Sequence, residues 1–210
     1  MKILNRVLFI TLLLLNANAD AGTFTIELTP IYGYRNGGEF TDEINDSRHT
    51  IQSSNMYGLV LSWPPHHLGQ AYEVYFSHQS SELTSVSLSL PDTPDTADIP
   101  LTIRYLHVGG TTPITEQENF KAFLSGGLGF TYLSPDFSSL ESDLRASLSI
   151  GVGFKWPINE KLALRLETRG FATMFNSNSA LFCNNGACSL SVNGSLFWQG
   201  EVFAGMALRF

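Results

Sequence analysis

The stretch ASLSIGVGFKW, residues 146–156, alternates strictly between two kinds of side chain. Every second residue is apolar, and the residues between them are small or polar. The apolar set is Ala146, Leu148, Ile150, Val152, Phe154 and Trp156, and the other set is Ser147, Ser149, Gly151, Gly153 and Lys155. Because side chains alternate between the two faces of a β-strand, this pattern predicts a strand with one apolar and one polar face.

The same alternation recurs along the chain. It predicts eight strands, near residues 23–35, 54–63, 71–79, 99–109, 120–133, 146–156, 161–173 and 196–210. The connections after the second, fourth and sixth strands are short (64–70, 110–119 and 157–160), and the other four are longer (36–53, 80–98, 134–145 and 174–195). Short turns on one side and long loops on the other are typical of outer-membrane barrels. The sequence therefore predicts an all-β fold, an eight-stranded antiparallel up-and-down transmembrane β-barrel with its short turns in the periplasm.

Alternation alone leaves open whether the apolar face points inward, as in a soluble barrel, or toward lipid. The polar face carries many glycines and serines and charges of both signs, which suits a narrow interior. Aromatic residues fall near the strand ends. They are Phe24, Trp63, Tyr72, Trp156 and Phe210 at the periplasmic rim, and Tyr34, Tyr57, Tyr132 and Trp198 at the outer rim. Two such girdles favour the membrane alternative.

The first residues indicate export. Lys2 and Arg6 precede an apolar run over residues 7–15, and Ala17 and Ala19 offer small residues for a peptidase. This layout predicts a signal peptide over residues 1–19, cut before Asp20 with a cut after Ala21 as the alternative, and a barrel over residues 20–210. The chain has 12 Lys and Arg against 19 Asp and Glu, with no basic stripe, so a nucleic-acid partner is excluded.

Three stretches then carry a family resemblance: GGLGF at residues 126–130, LRLETR at 164–169 and FAGMALRF at 203–210. With them the chain resembles the small outer-membrane β-barrel proteins of Gram-negative bacteria, the OmpA/OmpX/OmpW-like group. The resemblance implies location in the cell outer membrane, contact with membrane lipid and lipopolysaccharide, and recognition of the terminal Phe210 by the barrel assembly machinery. We expect a monomer without a cofactor.

Charged residues on the polar face predict a network of ion pairs inside the barrel. The predicted members are Glu27, Glu73, Arg104, Lys155, Arg165, Glu167, Arg169, Glu201 and Arg209. Such a network could line a polar channel or hold the barrel shut, and an interior of eight strands is narrow enough to be filled. We expect a side-chain-filled lumen and a porin-like shape without a wide pore.

Several other residues could carry chemistry. His78 and Ser80 lie at the outer end of the third predicted strand, and some lipid A deacylases of this barrel size place a His and a Ser there. No residue is identifiable that would orient the histidine, so no catalytic residue is predicted. His66 and His67 lie in a turn and lack the further ligands that a zinc site needs, so no metal site is predicted.

Two features concern the outer loops. Cys183 and Cys188 flank Asn184-Asn185-Gly186 in an exported chain, which predicts a disulfide across a loop tip. Eleven of the 19 acidic residues fall in three predicted outer loops, without the spacing of a calcium motif. We therefore expect a non-enzymatic barrel with a structural or surface-interaction role. The alternatives are a narrow conduit for small or hydrophobic solutes, as the resemblance to OmpW-like barrels suggests, and a lipid A-modifying hydrolase.

Overall fold

The computed structural model describes residues 25–41, 48–63, 70–86, 97–117, 119–136, 141–175, 179–184, 187–192 and 196–210. The predicted signal peptide therefore lies outside the described residues. The described residues form twelve strands. These are β1 (Glu27–Arg35), β2 (Glu39–Thr41), β3 (Arg48–Ile51), β4 (Ser54–Trp63), β5 (Ala71–Val86), β6 (Ala97–Gln117), β7 (Phe120–Pro135), β8 (Asp143–Asn159), β9 (Leu162–Met174), β10 (Ser179–Asn184), β11 (Ala187–Val192) and β12 (Leu196–Arg209).

Eight of these strands close into an antiparallel barrel in the order β1-β4-β5-β6-β7-β8-β9-β12, with β12 pairing back onto β1. This confirms the predicted fold. β1 begins and β12 ends at the end of the barrel that carries the short β6–β7 and β8–β9 turns. We call it the turn end. The opposite, loop end carries the longer connections. Strands β5 and β6 extend beyond their predicted bounds, to Val86 and Gln117.

The strands are strongly staggered. Glu27 on β1 pairs with Arg209 on β12. Following the pairing partners of Glu27 the other way around the barrel leads through Ser62, Glu73, Gly109, Gly127, Ser149 and Phe171 to Gln199. The trace returns to β12 at a point ten residues from its start, so the barrel has a shear of ten. This stagger tilts the strands and sets which side chains meet across the interior.

The exterior carries a broad apolar band. Exposed residues such as Val108, Leu128 and Ile150 face outward from neighbouring strands. No helix in the described ranges is long and apolar enough to cross a membrane. Toward the loop end of β6 the polarity of the two faces is reversed, because Ile99 and Leu101 are buried inside while Asp98 and Pro100 face outward.

Two further hairpins lie in the long connections. Strand β3 pairs with β2 and joins the loop-end extension of β5, where Thr50 lies opposite Thr84. Strands β10 and β11 form a separate two-stranded sheet, in which Cys183 lies directly opposite Cys188.

Candidate functional site in the barrel lumen

Strand β9 gives the order of the layers in the lumen. Its inward residues run from the turn end to the loop end as Ala163, Arg165, Glu167, Arg169, Phe171, Thr173 and Phe175, and all of them are buried. After Ala163 come the charged members, then the aromatic and hydroxyl members, and Phe175 lies at the loop end. The interior thus changes from ionic to apolar along the barrel axis.

The centre of the lumen holds a closed square of two arginines and two glutamates. Arg165 donates to Glu73 at 2.8 Å and to Glu167 at 2.9 Å. Arg169 donates to Glu73 at 2.6 Å and to Glu167 at 2.7 Å. Ser125 adds a hydrogen bond to Glu167 at 2.6 Å. Each carboxylate therefore accepts hydrogen bonds from both guanidinium groups. The square is electrically neutral, and buried charges need that degree of pairing to be tolerated.

A second ionic group lies nearer the turn end. The carboxylate of Glu27 accepts a hydrogen bond from Lys155 and another from Arg209, the latter at 3.1 Å. The ring of Phe123 separates this group from the square. The guanidinium of Arg165 lies 4.9 Å from the centre of that ring, and the ammonium of Lys155 lies 5.7 Å from it.

A third ionic group lies on the loop side of the square. Arg35 donates to Glu201 at 2.6 Å and 3.0 Å, and Tyr75 and Ser77 also hydrogen-bond to this pair. Arg35 is not among the lumen residues predicted from the sequence. The signal was available, because Arg35 lies an even number of residues from Glu27 on the same strand and so shares its inward face.

The next layer is aromatic and hydroxylic. Tyr105 stacks on Phe171 with ring centroids 4.1 Å apart, and its hydroxyl donates to Gln199 at 2.7 Å. His107 is buried beside them, with Ser149 at 2.9 Å from Nδ1 and Ser147 at 2.8 Å from Nε2. Both ring nitrogens of His107 therefore have a hydrogen-bond partner inside the barrel.

The loop end of the lumen is filled with apolar side chains. This apolar layer comprises Ile51, Met56, Leu83, Ile99, Leu101, Ile103, Leu133, Phe175 and Phe197, each at most 4% exposed. This layer differs from the expectation that the polar face lines the whole interior. On β5 and β6 the outward residues at this end, such as Glu82 and Asp98, are polar, so the apolar residues of these strands point inward as in an ordinary soluble core.

A cavity of about 360 Å³ opens at the turn end. Its walls include Glu27, Lys121, Lys155 and Arg209, and Phe123 also lines it. The square and the layers beyond it fill the lumen on the other side of Phe123. The cavity is therefore a blind vestibule at the turn end.

One predicted lumen residue lies elsewhere. Arg104 points outward, sharing its face with the exposed Leu106 and Val108, so its placement in the ion-pair network is wrong. Side chains alternate across the wall, and Arg104 falls on the lipid-side parity of β6. It lies just past the loop-end edge of the apolar band, where outward positions become polar.

Arg104 contacts the His78 and Ser80 pair on the exterior. His78 Nε2 lies 3.2 Å from Ser80 Oγ, and Arg104 Nε donates to His78 Nδ1 at 3.2 Å. Because Nδ1 accepts that hydrogen bond, a neutral His78 carries its proton on Nε2 and donates it to Ser80. This geometry supplies no lone pair to receive a proton from the serine hydroxyl.

The remaining predicted sites are described in part. The register of β10 and β11 suits the predicted Cys183–Cys188 disulfide, which stays a prediction because the structure describes only the backbone there. His66 and His67 lie outside the described residues. In the described part of the chain no group of three or more His, Cys, Asp or Glu side chains could hold a metal ion. Phe210 is exposed, and its backbone N–H donates to the carbonyl oxygen of Ile26 at 2.9 Å, beside the seam where β12 pairs with β1 and closes the barrel.

Comparison with known proteins adds support for the fold. No protein-family model and no curated protein matches the sequence. The structure is similar to that of Neisserial surface protein A, with a TM-score of 0.55 and 10% identity, over 89% of this chain and 97% of that one. OprG from Pseudomonas aeruginosa gives a TM-score of 0.48 with 15% identity, over 89% and 96% of the two chains. A major outer membrane protein from Thermus thermophilus gives 0.47 with 11% identity, over 87% and 99%.

At 10% identity, the similarity to Neisserial surface protein A concerns the fold alone. The closed antiparallel wall and its apolar exterior agree with that fold. The chain has the fold of a small, closed, eight-stranded antiparallel β-barrel, as Neisserial surface protein A does.

Proposed function

We propose that this protein is a closed, non-enzymatic outer-membrane barrel whose role is structural or a surface interaction made by its acidic outer loops. The observation that carries the proposal is the Glu73–Arg165–Glu167–Arg169 square, because it joins β5 to β9 across the lumen with all four side chains at most 3% exposed. The apolar layer closes the loop end beyond it. This packing argues against the conduit alternative, since the turn-end vestibule ends at the ring of Phe123 and the square fills the lumen behind that ring.

The surface role rests on the charges at the loop end. Glu82, Asp98, Asp136 and Glu141 are exposed there, and the other acidic loop residues lie largely outside the described part. An acidic surface above an anionic membrane favours basic partners or partners bridged by divalent cations. The closed wall leaves no barrel edge that demands a second copy, so we expect a monomer. The exposed Phe210 on the seam is accessible to the assembly machinery.

Conductance measurements in planar bilayers test the closed lumen. The wild-type barrel should show no steady current, and the double variant Glu73→Ala, Arg169→Ala should show small, frequent openings. A matched double variant on the exterior, Glu116→Ala with Lys121→Ala, removes an exposed pair 3.5 Å apart and should stay silent. Steady current through the wild-type protein, or solute uptake into vesicles that contain it, would contradict the proposal.

The hydrolase alternative has one observation in its favour, the 3.2 Å contact of His78 with Ser80. The group behind the histidine is the cationic Arg104 rather than a carboxylate, and a cation there disfavours the imidazolium that base catalysis would form. Mass spectrometry of lipid A from cells with and without the protein separates the two functions. We expect identical spectra, and a loss of acyl chains that disappears in Ser80→Ala would instead establish the enzyme.

A further inference from the structure

A row of polar and aromatic residues crosses the barrel exterior on four neighbouring strands. Tyr57, His78, Arg104 and Tyr132 are consecutive pairing partners on β4, β5, β6 and β7. We call these four residues the rim row. The geometry points to a binding site for the phosphate of a phosphorylated glycolipid in the outer leaflet, a function beyond the one proposed above.

The depth of the rim row is set by its neighbours. One step toward the turn end, the outward partners are the exposed apolar residues Leu59, Phe76, Leu106 and Phe130. One step toward the loop end, the outward partners Ser80, Thr102 and Ser134 are hydroxylic. The rim row therefore lies on the boundary between the apolar band and the polar exterior, which is the depth of lipid head groups.

The side chains of the rim row touch one another. The rings of Tyr57 and His78 lie 4.9 Å apart, and Arg104 Nε donates to His78 at 3.2 Å. On the other side, the guanidinium carbon of Arg104 lies 5.8 Å from the centre of the Tyr132 ring. Arg104 is thus held between a histidine and a tyrosine, which restricts the orientations of its guanidinium group before any ligand binds.

Arg104 still has donors to offer. Among the described residues, the Nε–H of Arg104 makes its one side-chain hydrogen bond, and its two terminal nitrogens have no hydrogen-bond partner there. Two parallel N–H donors match the oxygens of a phosphate. The hydroxyl groups of Thr102, Ser80 and Ser134, one step above, suit the sugar that carries such a phosphate.

The charge balance of the barrel also points to an outside anion. Among the arginines whose side chains the structure describes, Arg35, Arg145, Arg165, Arg169 and Arg209 each pair with a carboxylate. Arg104 has no carboxylate partner in that part of the chain and is exposed. A cation at the edge of an apolar band is stabilised by an anion at head-group depth, and a lipid phosphate is the anion found there.

Native mass spectrometry of the folded full barrel in detergent micelles tests this site. The probes are doubly phosphorylated lipid A, the same lipid A stripped of phosphate, and inorganic phosphate. Wild-type protein should retain phosphorylated lipid A roughly tenfold better than the stripped form, the factor expected for one hydrogen bond to a charged group, here with forked geometry. Arg104→Gln should abolish most of that preference, and Arg104→Lys should restore part of it because the charge returns without the forked geometry.

The matched control is Arg145→Gln, which removes a cation at the same end but on the inward parity of β8. It should keep the wild-type preference. Equal losses in Arg104→Gln and Arg145→Gln would indicate general electrostatic attraction and overturn the proposal, as would a wild-type barrel that does not distinguish the two lipids. Displacement of the lipid by millimolar inorganic phosphate would assign the site to a soluble anion and overturn it as well.

Discussion

Arg35 and Glu201 meet inside the barrel with fully buried side chains, although 166 residues separate them along the chain. They lie on β1 and β12, opposite each other across the seam that closes the wall. Arg35 also lies 4.7 Å from the centre of the Tyr105 ring, so the pair is packed as well as charged.

Glu201→Gln should destabilise the barrel by about 3–5 kcal/mol, because it leaves the buried Arg35 without a counter-charge. Urea unfolding in lipid vesicles, followed by tryptophan fluorescence, measures this change. Glu116→Gln is the control, since Glu116 and Lys121 are both more than 40% exposed. An exposed pair contributes about 0–1 kcal/mol. Equal effects of the two variants would contradict the assignment of Glu201 to a buried network.

Gly153→Ala should destabilise the barrel by about 1–3 kcal/mol through overpacking. A Cβ at Gly153 would overlap the ring of Phe123, which lies between two ionic groups and has little room to move. Gly126→Ala is the matched control. Its Cβ would meet only the Ser149 carbonyl oxygen, at 3.7 Å. The same urea titration compares them, and a neutral Gly153→Ala would mean that the lumen is looser than described.

Leu128→Arg should cost about 2–4 kcal/mol, because it puts a charge in the middle of the apolar band. Leu128 is 70% exposed on the barrel exterior. Thr102→Arg adds the same charge past the rim row and should cost about 0–1 kcal/mol, since the bilayer penalty falls with distance from the midplane. Refolding yield and urea midpoint in vesicles report both changes. A reversed order would place the membrane at the wrong height on the barrel.

Cys183 and Cys188 should resist alkylation in the native protein and react only after reduction, as judged by intact mass. Replacing both with serine should change the unfolding free energy of the barrel by less than about 0.5 kcal/mol, as is usual for sites away from the core. The physical reason is that β10 and β11 form their own sheet. Labelling without reductant would reject the disulfide.

The sequence predicted the fold because a two-residue period is strong in long strands. Every second residue of β8 from Ala146 to Trp156 is apolar, and such a strand has one possible arrangement of faces. The parity of residue numbers along a strand also indicates which side chains point inward. Arg35 has the parity of Glu27, and Arg104 has the parity of Leu106, so both could have been assigned correctly.

Other features of the site could not be read from the chain. The Glu73 carboxylate meets Arg165 and Arg169, which lie 92 and 96 residues away. Those contacts depend on the shear of the barrel, and the alternation of one strand does not encode its offset against strands across the lumen. Near Arg104 the inward residues of β6 become apolar and the outward residues become polar. This change depends on where the membrane ends, and the alternation along the strand indicates that position only weakly.

The pair across the seam has a consequence for the order of events during folding. Consider an open sheet in which all neighbouring barrel strands are paired except β12 with β1. In that sheet Arg35 and Glu201 are not paired with each other, and an uncompensated charge in a lipid environment is costly. Such an intermediate is therefore high in free energy, and pairing β12 with β1 removes the cost of the two unpaired charges in a single step. The ionic lumen should make insertion cooperative, with few half-closed barrels surviving long enough to be trapped.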